Sequence, residues 1–135
     1  MPVELRSPEG LLQQDLYHPV AIGSGSRIAL FAGQVAAEPG GRILADDLAG
    51  QVHVALRNVV TAVRAAGGGP EDLARLTVYV VGWGPEDAAA LEDGVHRAQE
   101  SEGLPAPLPP LTVIRVQALY RPEVRVEIEG TAILP

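Results

Sequence analysis

The chain contains no cysteine, which excludes disulfides, thiolate metal ligands and cysteine nucleophiles. Aromatic residues make up only 4%, so Val, Leu, Ile and Ala must fill the core, side chains that suit sheets and the inner faces of helices. Apolar runs of transmembrane length are missing too, because Arg, Asp, Glu or Gly interrupts each candidate. No N-terminal stretch combines the charged, apolar and cleavage regions of a signal peptide, and the expected compartment is the cytoplasm. Basic residues are few, 10 against 17 acidic for a net charge of -7, and they form no run. Such a surface repels phosphate backbones, so nucleic acid is not an expected partner. His18, His53 and His96 lack metal-ligand spacing, and neither a metal nor another cofactor is expected. Gly23-Ser24-Gly25 and Gly67-Gly68-Gly69 lack the strand-to-helix pattern and lysine of phosphate loops and read as turns.

What is present fits one folded domain spanning residues 1–135. The chain has 135 residues, 47% of them apolar, enough for a single sheet-and-helix core. Val3 to Arg6 reads as a short opening strand and Pro8 to Gln14 as loop. Val20 to Ile22 and Ile28 to Ala32 read as a hairpin around Gly23 to Ser26. Asp46 or Asp47 caps a first helix, whose buried stripe is Leu48, Val52, Leu56, Val59 and Val63. Gly67 to Gly69 ends it and Pro70 prevents its resumption. Leu73 to Val81 is a strand of high β propensity. A second helix opens at Gly84-Pro85, with proline at its first position, and runs through Ala89, Leu91, Val95 and Ala98 to about Gly103. Two strands follow, Leu111 to Leu119 and Val124 to Leu134. The order predicts an α+β fold, a mixed sheet with two helices on one face.

Alternation divides each strand into two faces. Val124, Val126, Ile128, Ala132 and Leu134 share one face of the last strand; Arg125, Glu127, Glu129, Thr131 and Ile133 share the other. Leu76, Val78 and Val80 oppose Arg75, Thr77, Tyr79 and Val81. Ile114, Val116 and Ala118 are read as the helix-covered side of their strand, opposing Val113, Arg115 and Gln117. The second face of this sheet is mixed. It suits packing against other subunits with polar pockets left between them, or else a solvated face with cross-strand ion pairs.

Four segments in order resemble one family. Phe31-Ala32-Gly33-Gln34-Val35, Ala45 to Gln51, Thr77-Val78-Tyr79-Val80 and Val126-Glu127-Ile128-Glu129 are similar to segments of the Rid (YjgF/UK114) family. The resemblance runs from about Tyr17 to Leu134. It implies a chorismate-mutase-like fold, three subunits closing their sheets into a barrel, and ligand sites in the clefts between them. It also implies hydrolysis of enamines and imines such as 2-aminoacrylate to a keto acid and ammonia. By resemblance, Glu127 positions the water, Gly33 offers backbone contacts, Tyr17 closes over the ligand, and Glu92 falls near a family asparagine. The family's carboxylate-binding arginine does not carry over, and Leu111 stands in its place. Leucine supplies neither charge nor bidentate geometry, so weak or absent activity on 2-aminoacrylate is expected.

Each of these residues also has a structural reading. Glu127 either activates water or pairs between subunits with Arg115 or Arg125. Arg115 sits on the strand face of Leu111, roughly 13 Å along, too far to replace the arginine without another ligand pose; an ion pair to Glu127 or Glu129 is its alternative. Tyr17 stacks on a ligand or packs under the N-terminal loop. Gly33 presents its amide or allows close backbone approach. Two functions stand side by side: hydrolysis of an imine or enamine other than 2-aminoacrylate, and non-catalytic binding of a small metabolite. Ribonuclease activity, ascribed to some relatives, finds no basic groove.

Overall fold

The computed structural model describes residues 2–135. Asp47 caps α1 (Leu48–Ala65), its carboxylate accepting from the Gly50 amide at 3.2 Å. The expected stripe of Leu48, Val52, Leu56, Val59 and Val63 is buried, and each such side chain contributes about 1.5–3 kcal/mol. The chain leaves α1 through Gly67 at φ +95°, a conformation glycine adopts without strain. Pro70 then opens a single 3-10 turn, Pro70–Asp72, instead of more helix. Gly94 of α2 (Asp87–Glu102) lies against α1, where a Cβ would meet Ala49 O and Val52. The two helices cross there at close range.

The main sheet contains β3 (Arg27–Gln34), β4 (Leu73–Val81), β5 (Leu111–Val116) and β6 (Val126–Leu134) in the order β3-β6-β4-β5. β6 runs antiparallel to both β3 and β4, while β5 is parallel to β4, with α2 as the crossover such pairing requires. β6 alternates strictly between buried and half-buried positions. Val126, Ile128, Ala132 and Leu134 join Leu76, Val78 and Val80 beneath the helices. The α+β architecture with two helices on one face of a mixed sheet is therefore as expected.

Several local expectations are corrected. β1 (Val3–Arg6) pairs with β2 (Val20–Gly23) in a separate two-stranded sheet. β2 and β3 belong to different sheets instead of forming the expected hairpin, because Ser24 N donates to Pro2 O at 2.6 Å and Ser26 N to Leu134 O at 3.0 Å. α2 begins two residues after Pro85. Asp87 takes the Gly84 amide at 2.7 Å, and its own amide returns to Gly84 O at 3.1 Å, holding the preceding turn out of the helix. Ala89 is exposed, and Ala90 packs on the core instead. β5 stops at Val116 because its partner strand β4 ends at Val81.

The largest correction concerns the facing of β5. Its register sets Leu111 opposite Leu76, Val113 opposite Val78 and Arg115 opposite Val80. Residues paired in a ladder point to the same side, so Leu111, Val113 and Arg115 belong to the helix side. Thr112, Ile114 and Val116 belong to the mixed face with Thr77, Tyr79 and Val81.

Candidate functional site

The face of the sheet away from the helices presents Glu127 and Glu129 from β6, Arg75, Thr77 and Tyr79 from β4, and Thr112 and Ile114 from β5. Across β3 the pairing with β6 breaks between Phe31 and Gln34. Such an irregularity re-aims the residues within it. It brings the α-carbon of Gly33 against the Glu127 side chain, so closely that a Cβ at Gly33 would overlap the carboxylate. Gly33 and Glu127, singled out in the sequence, therefore meet. Farther along, the same face carries exposed apolar side chains, Ile28 and Leu30 on β3 opposite Ile133 and Thr131 and Ile114 on β5, at 70%, 77% and 40% exposure.

Glu127 has no ion-pair partner within the chain among the described residues. Arg125 turns its guanidinium away to Val81 O at 3.0 Å and Asp87 Oδ2 at 3.3 Å. Arg115 lies exposed on the opposite side of the sheet, at the β5 edge. Glu129 accepts a hydrogen bond from the Tyr79 hydroxyl. That bond raises the Tyr79 pKa above its ordinary value, with burial and the Glu129 and Glu127 charges adding to the rise.

Leu111 is buried under the helices at 5% exposure and belongs to the core. The structure does not bring it to Glu127. Tyr17 and Glu92 are brought together, with Gln14, Asp15, Leu16 and His96, around a cavity of about 580 Å³. Gln14 fixes the approach there, its Oε1 accepting from Leu16 N at 2.7 Å and Tyr17 N at 3.1 Å. A bridge from Tyr17 to Leu108 completes the anchoring. Glu92 is carried on α2, so the Tyr17–Glu92 group and the Glu127–Gly33 group occupy different sides of one subunit.

Sequence reasoning places none of Arg75, Tyr79, Glu129 and His96 in a ligand site, and names Glu129 only as an ion-pair alternative for Arg115. Alternation already placed the first three on the mixed face, and the four-residue spacing of Glu92 and His96 put both on one face of α2. Among the described residues no three histidine or carboxylate side chains gather as a metal site would require. The chain has no lysine, so a Schiff base through a side-chain amine is ruled out. The chemistry this face offers is that of a carboxylate beside an open, partly apolar surface: accepting a proton from water, or holding a cationic or hydrogen-bonding group.

Residues 14–134 match the family model described as Endoribonuclease L-PSP. Among solved structures, the chain is similar to YyfB of Yersinia pestis, described as a protein of unknown function of the conserved Rid protein family. The identity is 31% and the TM-score 0.84, covering 99% of this chain and 100% of that one. The Escherichia coli TdcF structure with bound serine is 25% identical at a TM-score of 0.67, covering 94% and 100%. The YjgF gene product of E. coli has the same fold, at 24% identity and a TM-score of 0.67, covering 96% and 92%. No curated protein matches the chain. Among the described residues no helix is long and apolar enough to cross a membrane. The family model and the Yersinia relative together establish that this chain belongs to the Endoribonuclease L-PSP family, the Rid (YjgF/UK114) proteins.

Proposed function

We propose that the protein hydrolyses an imine or enamine other than 2-aminoacrylate in a cleft between subunits of a cytoplasmic homotrimer, with Glu127 activating the water. The observation that carries this reading is the Glu127 carboxylate, seated against Gly33 and without an ion-pair partner among the described residues. A carboxylate kept on a half-buried face without a partner bears a desolvation cost that a purely structural role does not require. Water attacks the C=N carbon while Glu127 takes one of its protons and returns it to the nitrogen. The resulting carbinolamine then collapses, its hydroxyl proton passing to the nitrogen by way of Glu127 as the C–N bond breaks to give the carbonyl and ammonia. Exposed Ile28 and Leu30 support burial of this face against a second subunit. A second subunit would also supply a Tyr17–Glu92 group to the cleft from outside. The serine in the E. coli TdcF structure supports a small polar metabolite as occupant.

Burial of Leu111 favours a second reading, a non-catalytic metabolite-binding module of the same fold. In either case this chain is of a type without the family's carboxylate-binding arginine at that position. Ammonia release from a panel of freshly generated imines tests the proposal. Turnover is expected on at least one imine, and 2-aminoacrylate should be poorer by roughly 30- to 1,000-fold than for an arginine-bearing relative, the loss of one charge-assisted pair. No turnover on any member selects the binding module. Light scattering on the same sample should give three times the 14.1 kDa chain mass.

A further inference from the structure

One row along from Glu127, the mixed face holds a cavity of about 300 Å³ lined by Leu30, Phe31, Arg75, Thr77, Glu129, Gly130 and Thr131. It contains a full cation and a full anion that do not pair with each other. Arg75 makes no ion pair among the described residues. Its one hydrogen bond runs to Thr112 Oγ1, at 2.5 Å, which holds the guanidinium toward β5. Glu129 reaches across to Tyr79 of β4, whose hydroxyl occupies one of its oxygens. A guanidinium has five donors and a carboxylate about four acceptor sites, so both retain most of their capacity. The hydroxyls of Thr77 and Thr131 line the cavity beside them.

The spacing fits a specific chemistry. Thr112, which holds the guanidinium, and Glu129 lie in one row on either side of Thr77, and two strand spacings put their backbones roughly 9–10 Å apart. A molecule carrying a carboxylate and an ammonium on one carbon, with a charge-assisted hydrogen bond of about 2.8 Å at each end, spans nearly that distance. An inorganic anion would meet Arg75 but face repulsion from Glu129, and a simple amine would meet the reverse. We propose that this cavity is a second binding site, taking a free α-amino acid as its zwitterion, with Arg75 on the carboxylate and Glu129 on the ammonium. Its named lining comes from one chain, on the face that the proposed function turns toward a second subunit, and binding there does not depend on Glu127 chemistry.

The test uses the full, assembled protein. The common α-amino acids are screened by thermal shift. The best of them is then titrated by calorimetry beside the analogue lacking its ammonium and the analogue lacking its carboxylate. The zwitterion is expected to bind, and each analogue to bind on the order of 10- to 100-fold more weakly. Arg75→Gln and Glu129→Gln should each weaken the zwitterion by the same order, Gln at 129 still accepting from Tyr79. Glu127→Gln should leave its affinity unchanged. Should Arg75→Gln fail to fold, Thr131→Val is the substitute and is expected to weaken binding several-fold. The proposal is overturned if no amino acid binds, if either analogue binds as well as the zwitterion, or if Glu127→Gln abolishes binding. It is equally overturned if Arg75→Gln or Glu129→Gln lowers the melting temperature and leaves affinity intact, which would mark the two as structural charges.

Discussion

The Glu127 carboxylate occupies the volume that a side chain at Gly33 would fill. The two residues sit on adjacent strands, and the irregularity in β3 is what lets them meet. Gly33→Ala forces the carboxylate to rotate, which the flexible end of a glutamate can do at modest cost to folding. If the carboxylate positions a water, a displacement near 1 Å is worth about 100-fold in rate. Gly33→Ala is therefore expected to fold, to assemble as the wild type does, and to lose about 10- to 100-fold in turnover. Wild-type rates in the variant would show that the close approach has no catalytic part.

Gln51 ties the start of α1 to the approach of β6. Its side-chain amide donates to Ala45 O at 3.0 Å and Glu123 O at 2.8 Å, while its oxygen accepts from Arg125 N at 2.8 Å. The residue is 1% exposed, so three backbone groups lose their partner in Gln51→Leu. The expected destabilisation is about 2–4 kcal/mol, measured as a shifted urea midpoint at unchanged slope. A shift below about 0.5 kcal/mol would mean that water replaces all three bonds.

Tyr79 gives a pH-dependent signature. Its bond to Glu129 raises the pKa above the ordinary 10.0, so the neutral phenol is the form that folding favours. The resulting stability is fully present below pH 10 and is lost as pH rises through the folded-state pKa. Tyr79→Phe lacks this contribution, and the difference in melting temperature between the two proteins should shrink above pH 10. Ultraviolet titration should show a late-ionising tyrosine in the wild type that the variant lacks. Identical titration curves above pH 10 for the wild type and the variant, apart from the one missing tyrosine's amplitude at its ordinary position, would contradict the bond.

The parts of the fold that were legible in the sequence are those with strong local signals. The stripe from Leu48 to Val63 has helical period because α1 buries one face, and β6 alternates because one side is covered and the other is not. β5 was misread because only Leu111 of its helix side is covered; Val113, Ile114 and Arg115 are all exposed, so neither side stands out as a core face. Its facing is fixed by parallel register with β4, a non-local fact. The β1–β2 pairing likewise joins residues separated by a loop, while the local glycine-serine turn suggests a hairpin. Glu127 and Gly33 were found through motif resemblance, and their contact depends on an irregularity in β3 that no pattern of residue types marks. Arg75 and Glu129 were placed on the right face by alternation, but their common cavity emerges only when β4 and β6 are paired.

The most direct test of the central claim is turnover by Glu127→Gln, alongside light scattering and thermal melting. Gln keeps the size and the hydrogen-bonding capacity of the side chain but cannot accept the proton that attack on C=N releases. The catalytic account predicts an intact assembly, ligand affinity close to wild type, and a loss of turnover on the order of 100-fold or more. A variant that turns over its imine at the wild-type rate would contradict it, whether or not its melting temperature had changed.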